Sequence, residues 1–248
     1  MKPRVAFFSL TSCEGCQLVV LEQEDKLLDL FRTVDVVSFR EAMSEHSEEY
    51  DIAFVEGSVS THHDLDEVLR IRDRAKFLVA LGACATTGGV NAIKNRYGIT
   101  EVKRRVYGGQ GELFDTIAAR PVHAVVPVDA FLHGCPIDGE EFLRAVTCFV
   151  SGKRFRPPNY PVCVECRLKE NVCLFEKGQV CMGPIVRAGC GAICPTYGEP
   201  CEGCRGYVDD PQRDAHAFVL KKYGLSVDEL VRRHTRFNAY FEESPTGG

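Results

Sequence analysis

Hydrophobic residues along the first 150 positions alternate between short continuous runs and helically spaced segments. The continuous runs have strand length and predict five strands, at residues 5–10, 34–39, 52–55, 77–81 and 122–126. Apolar residues at helical spacing predict helices at residues 17–31, 64–74 and 138–150. In the first of these helices, the residues expected to face a core are Leu18, Leu21, Leu27, Leu28 and Phe31. The alternation predicts an α/β fold close to flavodoxin-like, a mostly parallel sheet with helices on both faces.

The pattern changes after Ser151. Residues 152–160 (GKRFRPPNY) contain two prolines and predict a linker. The next segment, residues 161–208, has eight cysteines and little periodicity. Apolar side chains alone cannot form a core in such a segment, so metal clusters are expected to supply the missing framework.

Helical spacing returns near the C-terminus. It predicts helices at residues 212–223 and 227–236, with Ser226 as the N-cap of the second. The predicted organisation is a flavodoxin-like domain at residues 1–151, a small loop-rich iron–sulfur domain at 152–208 and a helical tail at 209–248.

Charge and hydropathy argue against two classes of partner. The formal net charge is −5, from 30 Lys+Arg and 35 Asp+Glu, whereas a general nucleic-acid binder needs a basic face. No segment approaches the roughly 18–20 uninterrupted apolar residues of a membrane span. Residues 1–4 lead only into a strand-length apolar run without the pattern of a secretion signal, so a cytoplasmic location is expected.

Thirteen cysteines are the most unusual feature of the composition. They are disulfides in an oxidising compartment or metal ligands in a reducing one. Eight of them lie between Cys163 and Cys204, where two C-x-x-C pairs are interleaved with proline and glycine. This arrangement favours metal ligands.

Four cysteines of the first domain follow predicted strands. Cys13 and Cys16 come just after the first strand, Cys84 after the strand at 77–81, and Cys135 beyond the run at 122–126. Open α/β sheets bind ligands at the carboxyl ends of their strands, and four thiolates are what a [4Fe–4S] cluster needs. Two alternatives stand beside this interpretation: Cys84 and Cys135 as ordinary buried cysteines, and Cys13–Cys16 as a thioredoxin-like redox pair. Cys148 lies in an apolar helical run and is expected to be a core residue.

The remaining eight thiols suffice for two further [4Fe–4S] clusters or for two zinc sites. They are Cys163, Cys166, Cys173, Cys181, Cys190, Cys194, Cys201 and Cys204. Zinc ribbons also use C-x-x-C pairs, but the Cys194–Pro195 step is typical of ferredoxin motifs. With the first site, the expected cofactors are three [4Fe–4S] clusters.

The sequence resembles the small, electron-transferring subunit of nickel–iron hydrogenases over nearly its whole length. The motifs that carry the resemblance occur in the family's order: T-S-C-x-G-C at 11–16, E-G-S at 56–58, G-x-C-A-x-x-G-G at 82–89 and G-C-P at 134–136. It implies a chain without catalytic residues of its own, which relays electrons from the nickel–iron site of a large subunit.

The resemblance also implies how the cysteines divide among the clusters. The proximal set is Cys13, Cys16, Cys84 and Cys135; the distal set is Cys163, Cys166, Cys173 and Cys181; the medial set is Cys190, Cys194, Cys201 and Cys204. Cys163 stands where respiratory members have a histidine, and Cys194 completes a four-iron site where they often hold three irons. Both departures suggest clusters of more negative and more uniform potential.

Within the family, three segments look most like the delta subunit of NAD(P)-linked sulfhydrogenases: V-E-G-S-V-S-T, P-V-C-V-E-C-R and residues 236–243. This implies a flavin/iron–sulfur, NAD(P)-reactive subunit as a second partner. Small subunits of viologen-reducing and deazaflavin-reducing hydrogenases are the alternatives. A zinc-binding assembly module and a stand-alone ferredoxin-like carrier are alternatives of other classes. For Glu56, at a strand end, capping of a loop is favoured over proton relay.

Overall fold

The computed structural model describes residues 2–243, and its centre is a sheet of five parallel strands in the order β2-β1-β3-β4-β5. The strands are β1 (Arg4–Ser9), β2 (Asp35–Phe39), β3 (Ile52–Glu56), β4 (Phe77–Leu81) and β5 (Ala130–Leu132). This order is that of flavodoxin-like folds, so the predicted fold class is confirmed. All five residues of β3 are buried and the first four are apolar, as expected of a strand that helices cover on both faces.

Helices cover both faces of the sheet. The helices of this first part of the chain are α1 (Gly15–Leu21), α2 (Glu24–Phe31), α3 (His62–Arg74), α4 (Gly82–Thr87), α5 (Ile99–Tyr107) and α6 (Gly139–Val150). Of these, α5 has no buried residue and packs against the 3-10 segments Gly89–Arg96 and Gly108–Leu113. One core lies between the sheet and α1, α2 and α6, where Phe7, Phe54 and Phe142 pack together. The other core lies on the opposite face, where Val68 and Ile71 of α3 contribute.

The strand predicted at residues 122–126 is wrong. Val122–Ala124 is a 3-10 turn, and the fifth strand is β5, which begins at Ala130. Val122 and Val126 are buried in the core beneath α3, so this run is apolar because of packing and not because of strand pairing. Pro121 and Pro127, which have no N–H to donate to a neighbouring strand, flank the run.

The single helix predicted at residues 17–31 is also wrong, because α1 ends at Leu21 and α2 begins at Glu24. Glu24 has a left-handed backbone, with φ of 45°, which breaks the helical path. The change of direction leaves Leu18, Leu28 and Phe31 exposed, although all three were expected to face a core. Leu27 faces the core as expected, Leu21 packs partly against it, and Val20 joins them.

The cysteine-rich segment has little regular structure of its own. Its helices are α7 (Val162–Leu168) and α8 (Ile193–Thr196), and the chain then continues into α9 (Arg213–Lys222) and α10 (Val227–Glu243). Leu220 of α9 and Leu230 of α10 complete its apolar core. Ser226 accepts a hydrogen bond from the Glu229 N–H at 3.3 Å, as expected of an N-cap, although α10 continues beyond the predicted end at residue 236.

Helix α10 also contacts the first domain. Asn238 interrupts its helical geometry (φ −125°, ψ 20°) and is fully buried, with its side-chain amide donating to the Gly203 carbonyl at 3.2 Å. One residue earlier, the Phe237 carbonyl accepts a 2.6 Å hydrogen bond from Thr87 Oγ1 at the end of α4. The tail therefore spans the junction between the sheet and the cysteine-rich segment. Among the described residues, no helix combines the length and hydrophobicity needed to cross a membrane.

Candidate iron–sulfur sites

The carboxyl ends of four neighbouring strands lie in register. Ser9 of β1 is opposite Glu56 of β3, Glu56 is opposite Leu81 of β4, and Leu81 is opposite Leu132 of β5. The loops that leave these ends therefore start from one edge of the sheet, where ligand sites of open α/β sheets form.

The proximal set lies on these loops. Cys13 and Cys16 follow β1, with Cys16 in the first turn of α1; Cys84 is in α4, which begins directly after β4; and Cys135 follows β5. Because β5 ends at Leu132 and not at residue 126, Cys135 lies closer to the end of its strand than the sequence predicted. Burial raises the pKa of the Cys84 thiol to about 12, and the adjacent Cys135 and Cys13 contribute to the rise. Burial likewise raises the pKa of Cys16, with Glu56 and Cys135 among the contributing neighbours. The structure thus brings these four thiols together.

Close backbone approach is built into the proximal loops. Gly82 has a φ of +81°, and a Cβ at this position would overlap the Cys16 sulfur. The next residue, Ala83, donates its N–H to the Gly134 carbonyl at 2.6 Å, which ties the loop of Cys84 to that of Cys135. Only glycine meets both demands at position 82, because it has no Cβ and tolerates a positive φ.

Glu56 holds the start of helix α1. Its two carboxylate oxygens accept hydrogen bonds from the backbone N–H groups of Cys16 and Gln17, both at 3.1 Å, and its side chain is 2% exposed. A carboxylate at a helix N-terminus satisfies N–H groups that have no partner within the helix. Glu56 therefore has a capping role, as expected, but the element it caps is the start of a helix and not a loop.

The distal set lines one cavity of about 520 Å³. Cys163 and Cys166 project from α7, one helical turn apart, while Cys173 and Cys181 come from the loops that follow. Burial, followed by the neighbouring Cys181, Cys166 and Cys173, raises the pKa of Cys163 to about 12. All four sulfurs therefore lie around one space.

The medial set lines a second cavity, of about 400 Å³, in which Cys135 of the proximal set also takes part. Burial raises the pKa of Cys204 to about 12, with Cys190, Cys135 and Cys194 contributing. Cys201 is buried, and its pKa is raised well above its usual value, chiefly by burial and then by Cys181.

The three sets lie in a row. Cys135 lines the same cavity as Cys204, so the proximal and medial sets are neighbours. The backbone N–H of Cys201 donates to the Cys181 sulfur at 3.2 Å, which links the medial and distal sets. The medial set therefore lies between the other two.

The chemistry of these donors fits iron–sulfur clusters. All thirteen cysteines lie in the described part of the chain and are free thiols, and Cys148, half-buried in α6, is the one outside the three sets. Several thiolates buried together repel one another, so a bound cationic metal centre would compensate their charge. Within residues 2–243, no three His, Cys, Asp or Glu side chains are arranged to hold one metal ion. In a four-iron cluster the thiolates do not converge on one ion, because each binds a different iron.

Two polar residues at these sites were missed by the sequence patterns. Arg205, next to Cys204, is fully buried, and Glu165, between Cys163 and Cys166, accepts hydrogen bonds from Gly189 and Ala192 on either side of Cys190. A single charged residue beside a cysteine carries no signal in a sequence, since its partners lie far along the chain.

Comparisons with known proteins agree with this arrangement. Residues 13–149 match the family described as the 20 Kd subunit of NADH ubiquinone oxidoreductase. Over 94% of this chain and 98% of the relative, the sequence is 39% identical to sulfhydrogenase 2 subunit delta of Pyrococcus furiosus. It is 32% identical to a subunit of the F420-non-reducing hydrogenase vhu of Methanococcus voltae, over 93% of this chain and 91% of the relative.

A solved structure shares the fold. A chain of the NAD+-reducing [NiFe]-hydrogenase in its H2-reduced state superposes with a TM-score of 0.59 at 28% identity, covering 64% of this chain and 96% of that one. This chain therefore belongs to the family of the NADH ubiquinone oxidoreductase 20 Kd subunit and, within it, to the iron–sulfur small subunits of nickel–iron hydrogenases, oxidoreductases that act on hydrogen.

Proposed function

We propose that this chain relays electrons through three [4Fe–4S] clusters, held by the proximal, medial and distal sets, between the H2-activating site of the large subunit and a further redox subunit. The observation that carries the proposal is the row of three cysteine sets: Cys135 lines the cavity of the medial set, and the Cys201 N–H donates to the sulfur of the distal Cys181. When bound, such a cluster accepts and releases one electron at a time.

The chain's own residues provide three things for this role. The twelve thiolates bind the clusters, the burial of Cys16, Cys181 and Cys201 restricts water, and the Cys201 N–H donates to the Cys181 sulfur. Hydrogen bonds to cluster sulfurs and low solvent access both help to set a reduction potential. Cys13 and Cys135 are exposed at the carboxyl edge of the sheet, so this edge is the face that we assign to the large subunit.

For the electron acceptor, we propose NAD(P), through a flavin and iron–sulfur subunit. The solved relative of the first domain is an NAD+-reducing enzyme, and the sulfhydrogenase delta subunit matches nearly the whole chain. A second candidate is an acceptor of the F420-non-reducing kind of hydrogenase, because the vhu relative also covers more than nine-tenths of this chain.

The test of the relay is a metal count. The complex that contains this chain is purified anaerobically, and iron, acid-labile sulfide, zinc and nickel are measured per copy. We expect about twelve irons and twelve sulfides from three four-iron clusters, with nickel present only when the large subunit co-purifies. Zinc in place of iron would instead support a structural assembly module. Reduction of NAD+ or NADP+ by H2 in the same preparation tests the acceptor, and failure of both with rapid viologen reduction would favour the second candidate.

A further inference from the structure

Arg205 occupies the junction between the proximal and medial sets. It directly follows the medial Cys204, and its side chain is 1% exposed. Its guanidinium Nη1 donates to the carbonyl of His133, two residues before the proximal Cys135, at 2.7 Å. Its Nε donates to the carbonyl of Ala188, two residues before the medial Cys190, at 2.6 Å. One side chain thus binds both cluster loops.

A third contact anchors this guanidinium to the first domain. Its Nη2 lies 2.8 Å from both carboxylate oxygens of Glu141, which is fully buried in the first turn of α6. Since α6 packs against the sheet, the pair connects the medial loop to the rigid part of the fold. Gly189 leaves the space that the pair needs. It has a φ of +108°, and a Cβ at this position would lie 2.5 Å from Arg205 Nη2.

A buried ion pair of this kind is poorly explained by stability alone. Removing two charges from water costs several kcal/mol in typical proteins, and well-packed apolar residues often replace such pairs without loss of stability. The planar guanidinium, in contrast, presents five N–H donors in fixed directions, so it can hold several acceptors in one geometry. Two of the acceptors, His133 and Ala188, belong to the loops of Cys135 and Cys190, which line the same cavity as Cys204.

We propose that Arg205 is a positioning residue that fixes the spacing between the proximal and medial clusters, an inference that rests on the proposed relay. Electron transfer between two centres falls steeply with their separation. A guanidinium bonded to His133, Ala188 and Glu141 keeps the Cys135 and Cys204 loops from moving apart. Clusters held on these two loops would exchange one electron at a time across this junction, one cluster being oxidised as the other is reduced, with no proton or bond exchanged.

The test compares variants in the intact, anaerobically purified complex. Arg205→Met removes every donor, and Arg205→Lys keeps the charge but cannot reach three acceptors at once. Arg205→Met/Glu141→Leu also removes the carboxylate that the single variant leaves unpaired, so that the chain can fold. The matched control is Arg72→Met, because Arg72 also bonds three groups, in Asp129, Pro127 and Ala75, at the opposite edge of the sheet.

Four quantities are measured. The first two are iron per copy and the magnetic interaction between neighbouring reduced clusters, by electron paramagnetic resonance. The other two are the rate of H2-dependent viologen reduction and the rate at which the nickel–iron site exchanges hydrogen isotopes between the gas and the solvent. The last needs no relay. For Arg205→Met and the double variant we expect unchanged iron content, unchanged isotope exchange and a weaker magnetic interaction. The rate of viologen reduction should fall about tenfold or more, which is the size of effect expected when reacting centres are slightly misplaced. Arg205→Lys should resemble Arg205→Met, and Arg72→Met should resemble the unmodified complex.

Two results would overturn this role of Arg205. If the double variant keeps the magnetic interaction and the viologen rate, or if Arg205→Lys restores both, spacing does not depend on the guanidinium. If the double variant loses iron, Arg205 serves cluster assembly and not positioning. Failure of the relay itself is separate, because the unmodified complex would then lack the iron content and the cluster signals.

Discussion

The proximal set is mounted on the in-register ends of paired strands, whereas the medial and distal sets lie in a segment whose regular structure is limited to two short helices. Strands β1, β3, β4 and β5 are held by backbone hydrogen bonds and by two apolar cores built from side chains of the sheet and its helices. In residues 161–208, which the structure describes in full, the helices are α7 and α8, and the apolar core depends on Leu220 and Leu230 of the tail.

The difference shows two ways of holding a metal cluster. At the sheet edge, strand pairing and core packing fix the positions of the cysteines. In the cysteine-rich segment, strands are absent from the described residues and the helices are short, so we expect metal binding and local folding to be coupled. The family match, which spans residues 13–149, includes β2 to β5 and ends before this segment, so it follows the same division.

The largest expected effect is that of removing the clusters. Treatment of the purified complex with chelator and ferricyanide should unfold residues 161–208 while the sheet keeps its structure. A bound structural metal contributes on the order of 10 kcal/mol to folding in small domains such as zinc fingers. Hydrogen–deuterium exchange with mass spectrometry measures this: amides of 161–208 should lose protection, and those of β3 and β4 should keep it.

Reconstitution with iron and sulfide is the control, since it should restore protection in 161–208. Simultaneous loss of protection in β3, β4 and the cysteine-rich segment would contradict the comparison, because it would mean that both regions depend equally on the clusters.

A smaller effect is expected from adding a methyl group beside a cysteine, which tests how far the sheet edge and the cysteine-rich segment can each adjust. Gly82→Ala places a methyl group against the Cys16 sulfur at a φ of +81°, within a helix start fixed by β4. We expect loss of the proximal cluster, about four of twelve irons. Gly183→Ala puts its Cβ 3.2 Å from the Cys163 sulfur but lies in a loop that can shift, so iron should be retained.

The control for both glycines is Gly98→Ala, since a Cβ at position 98 meets nothing within 4 Å. Iron and sulfide per copy, together with the cluster signals in paramagnetic resonance, measure the outcome. Full iron content in Gly82→Ala would show that the sheet edge adjusts as readily as a loop.

The sequence predicted the sheet better than it predicted the contacts between cluster loops. The runs at 52–55 and 77–81 were correctly predicted as β3 and β4, because a strand that is covered on both faces is a continuous apolar run. The run at 122–126 has the same composition for another reason, the packing of Val122 and Val126 in a core, and periodicity cannot separate the two.

The placement of cysteines after strands was predictable because parallel strands share one carboxyl edge. The Arg205 contacts were not, since its acceptors Ala188, Glu141 and His133 lie 17, 64 and 72 residues away along the chain. Such contacts depend on how the medial loop packs against the first domain, which no local pattern records.

The smallest expected effect compares two carboxylates with the same task. Glu56 accepts from the N–H groups of Cys16 and Gln17 at the sheet edge, and Glu165 accepts from Gly189 and Ala192 in the cysteine-rich segment.

Replacing either glutamate by glutamine keeps the shape of the side chain but turns an –NH₂ group toward one of the N–H donors. Glu56 is 2% exposed, so Glu56→Gln leaves a buried donor unsatisfied and should cost about 1–3 kcal/mol of unfolding free energy. Glu165 is only partly buried, so water can replace its bond and Glu165→Gln should cost about 1 kcal/mol or less. Anaerobic denaturant unfolding of the two variants measures the difference, and a larger loss for Glu165→Gln would mean that the cysteine-rich segment, and not the sheet edge, is the more tightly determined framework.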